Sequence, residues 1–213
     1  VAARTGEVRD IDEESLRHDR LGVRFYGELR VPAVGGYLQH AKEGGVENDA
    51  LVVQEIAAFV AEEVADDDAE VVIFGPGSTV LAVERACGCP KPSLLGVDAM
   101  IREDHGARAV WETDIAGDRL ESLTKDLRAS LVVSFTGSQG SLLGRGNLQL
   151  TPRVLERVGR ARTTVVGTRT KLKRLDGRPL FVDTGSAAVD ADYAGLIQIV
   201  SGYDDRLWYR VDG

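Results

Sequence analysis

Cysteine, histidine and methionine are scarce in this sequence, at two, three and one among 213 residues. Cys87 and Cys89 form a Cys-Gly-Cys run that is too tight for an easy disulfide and lacks the Cys-x-x-Cys spacing of zinc and redox sites. They read as reduced thiols of an intracellular protein. His18, His40 and His105 lie far apart, each without a second ligand nearby, so no metal site is expected. Long apolar runs are missing too. No stretch approaches the roughly 18 residues of a membrane span, and the polar opening has no signal-peptide core, so a cytoplasmic protein without a membrane partner is expected. Nor is there an excess of positive charge. A formal net charge of −8 argues against nucleic acid or an anionic membrane as the main partner, because those surfaces are met by clustered cations.

What is present suits an ordinary globular chain. Hydrophobic residues make up 43%, enough for a proper core, and 213 residues fit one large domain or two small ones. Val1 is not an initiator and Met100 is the only methionine, so the chain is expected to begin inside a longer protein.

Between residues 7 and 32 polar and apolar residues alternate, with Val23, Phe25, Leu29 and Val31 spaced as on two short strands around Gly27. After a Gly-rich stretch (Gly35-Gly36, Gly44-Gly45), Asn48 is placed to cap a helix over 49–64, where Leu51, Val52, Ile56, Phe59, Val60 and Val64 recur at helical spacing. Strands are then expected at 71–74, 94–97, 109–111 and 131–135, and helices at 79–87, 118–127 and 152–158. The run Val71-Val72-Ile73-Phe74 suits a strand buried on both faces, which implies a mostly parallel sheet. From Thr163 onward no helix is expected, only short strands near 165–166, 180–182, 196–200 and 207–209. The expected fold is therefore α/β. A mostly parallel unit at 46–161 would be inserted into a β layer built from 1–45 and 162–213.

Two glycine-bearing segments stand out as sites. Gly75-Pro76-Gly77-Ser78-Thr79 joins a buried strand to a helix. Its glycines let the backbone turn tightly beside a ligand, and Ser78 or Thr79 can cap a helix whose N–H groups and dipole favour an anion. It lacks the Lys of a Walker A loop, and Leu81 stands where a third Gly of G-x-G-x-x-G would be. The second segment, 136–150 (TGSQGSLLGRGNLQL), is long, aperiodic and carries Gly137, Gly140, Gly144 and Gly146. Arg145 is its one charge, free between glycines to grip an anion bidentately beside Gln139 and Asn147. Thr151-Pro152 then reads as N-cap and first helical residue. Asp98, at the expected carboxyl end of strand 94–97, is placed to hold a ribose hydroxyl or act as a base. Val182-Asp183-Thr184-Gly185-Ser186 matches the aspartic-protease signature, but those enzymes need two such loops and this chain has one beside a large α/β segment.

The runs EVRDIDEESLR, VRFYGELRVP, FGPGSTVLAVERACG, LLGVDAM, GSQGSLLGRGNLQLTPRVLERVG and PLFVDTGSAAVDADYAGLIQIVSGY together resemble the predicted ATP-NAD kinase family, in particular its branch with acetoin-catabolism X-type proteins. The resemblance implies phosphate transfer from ATP or polyphosphate to the adenosine ribose of NAD, giving NADP, usually with Mg²⁺. NAD kinases carry a Gly-Gly-Asp-Gly-Thr loop whose Asp is the expected catalytic base. No such loop occurs in this sequence, so the chain resembles the C-terminal portion and its own catalytic residues are unassigned. The expected partner is a small nucleotide or phosphorylated ligand, with a homo-oligomer left open. A non-catalytic phosphometabolite-binding module and a sugar-phosphate isomerase-like enzyme are the alternative readings.

Overall fold

The computed structural model describes residues 3–11, 23–32, 46–103 and 108–213, with side chains described from Asp49 onward. The chain divides into two compact units, Val1–Val46 and Glu47–Gly213. In the first, β1 (Ala3–Ile11) pairs antiparallel with β2 (Val23–Pro32). β2 is one strand running through Gly27 rather than two around it. The register slips opposite Val8/Arg9, where one extra residue of β2 is accommodated as a bulge. The glycines at 35–36 and 44–45, and all three histidines, lie outside the described residues.

The second unit holds α1 (Val46–Asp66), β3 (Val71–Phe74), α2 (Ser78–Ala86), β4 (Asp98–Glu103), β5 (Arg108–Glu112), α3 (Gly117–Asp126), β6 (Ala129–Ser134) and β7 (Ser141–Leu143). It continues with α4 (Pro152–Val158), β8 (Thr163–Val166), α5 (Arg169–Lys173), β9 (Leu180–Val182), α6 (Ala187–Tyr193), β10 (Gly195–Gly202) and β11 (Asp205–Asp212). Its nine strands form one sheet in the order β5-β4-β3-β6-β8-β10-β11-β9-β7. The pairings β3/β6, β6/β8, β8/β10, β11/β9 and β9/β7 are parallel, so the sheet is mostly parallel and the fold is α/β. β8 and β10 continue the sheet of β3 and β6, and the division falls at Val46/Glu47.

Alternation on β3 explains the two cores. Val71 and Ile73 face a cluster with α3, α4 and α6 through Leu120, Leu123, Leu155, Val189 and Tyr193. Val72 and Phe74 face α1 and α2 through Ile56, Val60, Val80 and Val83. A strand with both faces covered by helices must be apolar throughout, and all four β3 residues are buried. α1 begins three residues before the expected start, placing Asn48 inside the helix rather than at its cap. Its C-terminal end is closed by Arg102, whose guanidinium donates to the carbonyls of Val64, Asp67 and Ala69.

Three further expectations change. Residues 94–97 form a turn, and the strand starts at Asp98 and runs antiparallel to β3. α5 and α6 interrupt the expected all-β tail, stabilised by burial of Leu172, Val189 and Tyr193 rather than by length. The loop at 136–150 contains buried β7. Thr136 N–H donates to the Ser141 carbonyl at 2.9 Å, so the far-edge strand starts beside the end of β6 and the sheet curls back on itself. No helix of the described residues is long and apolar enough to cross a membrane.

Candidate functional site

Parallel neighbours β3 and β6 end together, but their continuations part. β3 runs through Gly75–Thr79 into α2 on one face, while β6 runs through Phe135 and Thr136 to β7 and α4 on the other. Such a divergence opens a crevice at the carboxyl edge of a sheet, where ligands of open α/β folds bind.

The first wall is the turn after β3. Gly75 N–H donates to Val132 O at 2.9 Å and Gly77 N–H to Leu94 O at 3.0 Å, so two of the expected anion donors are engaged in holding the turn. Gly77, at φ 124° and ψ 152°, is itself the N-cap and provides no capping side chain. Ser78 and Thr79 are therefore helical residues rather than the cap, and no side chain satisfies the first-turn N–H groups among the described residues. Ser78 is exposed and Thr79 buried.

The second wall begins with Thr136, Gly137, Ser138 and Gln139, exposed or half-buried, and closes where Gly140 N–H donates back to Thr136 O at 2.8 Å. Gly140 has φ 74°, and its carbonyl accepts from Phe181 N–H at 2.9 Å. The other half of the loop is anchored elsewhere. Gly144, at φ 101°, passes so close to the Asp183 carbonyl that no Cβ fits. Asn147 is buried, with Oδ1 accepting from Gly144 N–H at 2.9 Å and Nδ2 donating to Leu142 O at 3.0 Å, so it braces the turn instead of facing a ligand. Arg145 and Gly146 are exposed. The Arg145 guanidinium lies 3.8 Å from Asp183 and over the Phe181 ring, at the β7–β9 edge. Thr151 caps α4 as its Thr-Pro sequence implies, accepting from Val154 N–H at 3.4 Å.

Asp98 sits opposite Phe74 at the same carboxyl edge, fully buried. Its oxygens accept from Ser93 N–H at 2.6 Å and Asp114 N–H at 2.8 Å, bracing two turns. Burial raises its pKa, and these two donors oppose the rise. Glu84 of α2 was missed by sequence reasoning. It is fully buried and neither oxygen has a hydrogen-bond partner among the described residues. Burial, then the charge of Asp98, pushes its pKa up to about 9 against the pull of Arg85, so it is neutral near pH 7. Cys87 and Cys89 are free thiols, and burial pushes Cys87 up to about 12.

Lys171 was also missed, because Thr170-Lys171-Leu172-Lys173 reads as an exposed polar stretch. Thr168 caps α5 by accepting from Lys171 N–H at 3.2 Å, which turns the side chain toward β6. Lys171 Nζ then donates to Ser134 Oγ at 2.9 Å and lies 4.9 Å above the Phe135 ring. Ser134 in turn donates to Val166 O at 2.9 Å. Glycines make the room: a Cβ on Gly137 would press on Lys171 Cγ at 3.0 Å, and one on Gly167 would enter the Phe135 ring. Burial, with Arg174 adding, lowers the Lys171 pKa to about 8.

The Asp183 loop leads into α6, and Asp190 in the first turn of that helix braces it, its Oδ1 accepting from Thr184 N–H at 2.9 Å. A hollow of about 980 Å³, with Tyr193, Leu196 and Trp208 in its lining, opens at the amino end of β8, the opposite edge of the sheet. Among the described residues, no three His, Cys, Asp or Glu side chains are grouped to hold a metal ion.

The fold is α/β with a mostly parallel sheet, and its glycine turns and the half-buried amine stand at one carboxyl edge of it. Residues 67–211, about two thirds of the sequence, match the family described as ATP-NAD kinase C-terminal domain, and the chain belongs to that family. No curated protein and no solved structure matches it.

Proposed function

We propose that this chain is the nucleotide-handling portion of an NAD kinase-like protein. It holds a nucleotide or phosphorylated ligand in the β3–β6 crevice for phosphoryl transfer from ATP or polyphosphate to NAD. Family membership supports the kinase-like reading, and the motif run supports placing it in the branch with acetoin-catabolism X-type proteins. The observation that carries the binding role is the parallel pairing of β3 with β6, which brings Gly75–Thr79 and the start of the 136–150 loop to one edge.

In this reading the first-turn N–H groups of Ser78 and Thr79 receive a phosphate beyond Gly75 and Gly77, and Gly137 and Gln139 form the facing wall. Gly140, Gly144 and Asn147 set the shape of the second loop. Arg145 and Gly146 lie at its exposed tip, where releasing Asp183 would free the guanidinium for an anion. Asp98 lies beside the ribose while bracing the turns around it. Mg²⁺ would come with the nucleotide as part of the substrate, where it would supply neutralising charge to the phosphates. Phosphoryl transfer depends chiefly on positioning and charge stabilisation, which such donors supply.

Calorimetric titration of the 213-residue protein with Mg-ATP and with NAD tests this. Binding of at least one is expected. NADP formation from the two is not, because the chain has no Gly-Gly-Asp-Gly-Thr loop to provide the base. A protein that binds neither would overturn the proposal.

A further inference from the structure

Among the described residues no carboxylate pairs with Lys171. Its Nζ donates to Ser134 Oγ and rests over Phe135, and no ion pair to it forms among the described residues. Among the described residues the charged group acting on it is Arg174, of like sign. Removing an ammonium partly from water beside another cation is unfavourable unless something compensates. A hydroxyl and a ring face compensate in part. The arrangement around the amine is nevertheless well formed. Ser134 is buried and fixed to Val166, Phe135 is buried beside Gly167, and Gly137 leaves space for the lysine stem. All of this stands at the carboxyl end of β6, beside the loop that begins at Thr136.

We propose that Lys171 is the counter-ion for a phosphate group of the bound ligand, with Ser134 and Phe135 holding the ammonium at the floor of the crevice. The proposal rests on the phosphorylated-ligand reading above and adds to it the group that neutralises the phosphate. A phosphate anion brought against Nζ completes the missing ion pair by a charge-assisted hydrogen bond. It also favours the ammonium form, so binding near pH 8 draws a proton onto Lys171.

The experiment is titration of the 213-residue protein with ATP at pH 8 in buffers of different ionisation enthalpy, with adenosine as the phosphate-free arm. About half a proton should be taken up per ATP bound, since Lys171 is then near half-protonated. Lys171→Met should weaken ATP roughly ten- to a hundredfold and leave adenosine unchanged. Lys171→Arg should keep most of the affinity but lose the proton uptake, because a guanidinium stays charged. Proton uptake is read on the unsubstituted protein, so it decides even where a variant folds poorly. ATP binding with no proton uptake, or with undiminished affinity in Lys171→Met, would overturn the assignment of Lys171 alone. No ATP binding by the parent protein would overturn both this assignment and the phosphorylated-ligand reading.

Discussion

Glu84 spends its life as a neutral acid. Its carboxyl is buried with no donor among the described residues to stabilise a charge, and burial moves its pKa from 4.5 to about 9. A folded-state value above the unfolded one means the native protein binds the extra proton. The associated stability is fully present below about pH 4.5 and is lost as pH rises through about 9. The melting temperature should therefore decline across that window. Glu84→Gln, which removes the titration but keeps the shape, should flatten the decline and leave the mutant more stable than the parent at pH 9. Identical pH profiles for the two proteins, measured by thermal melting, would remove Glu84 from this role.

At the level of elements, the two turns differ in why they contain glycine. Gly77 has φ 124°, yet a Cβ built on it meets nothing within 4 Å. Its requirement is conformational, and a side chain there would occupy open space in front of the first turn of α2. Gly77→Val should cost on the order of 1–3 kcal/mol in backbone strain and should abolish ligand binding by the folded fraction. At Gly144 the backbone is also left-handed, but a Cβ would drive into the Asp183 carbonyl, so strain and collision add. Gly144→Ala should consequently lower the melting temperature more than Gly77→Ala. Melting both variants and titrating folded Gly77→Val with ATP checks the pair. Unaltered ATP affinity in Gly77→Val would leave the turn a purely structural one.

For the molecule as a whole, the described core residues run from Ile56 to Val211, all within the compact unit Glu47–Gly213. Both faces of the sheet find their covering helices inside that unit. A chain restricted to residues 46–213, which keeps α1 entire, should fold and show one cooperative thermal transition. Circular dichroism would check it, and a broad, non-cooperative melt would show that residues 1–45 are needed for the sheet.

The local chemistry of the sequence determined what short-range patterns can encode. Val71-Val72-Ile73-Phe74 specified β3 because a continuous apolar run has both faces to bury, and Thr151-Pro152 specified the start of α4 because the pair fits a cap and a first turn. The Gly75–Thr79 turn was legible for the same reason. The tertiary structure alone decided the rest. Leu94-Leu95-Gly96-Val97 reads as a strand, but Gly96 is pressed between Ser93 and Asp114, so the segment turns and Asp98 opens a strand of reversed direction. The 136–150 segment reads as one loop, yet strand pairing sends its start to the crevice and its Gly144–Asn147 end to Asp183. Lys171 and Glu84 carry no local signal at all. Which strands lie side by side depends on hydrogen bonds and packing between residues tens of positions apart, and that contact decides which amine or carboxyl loses its water.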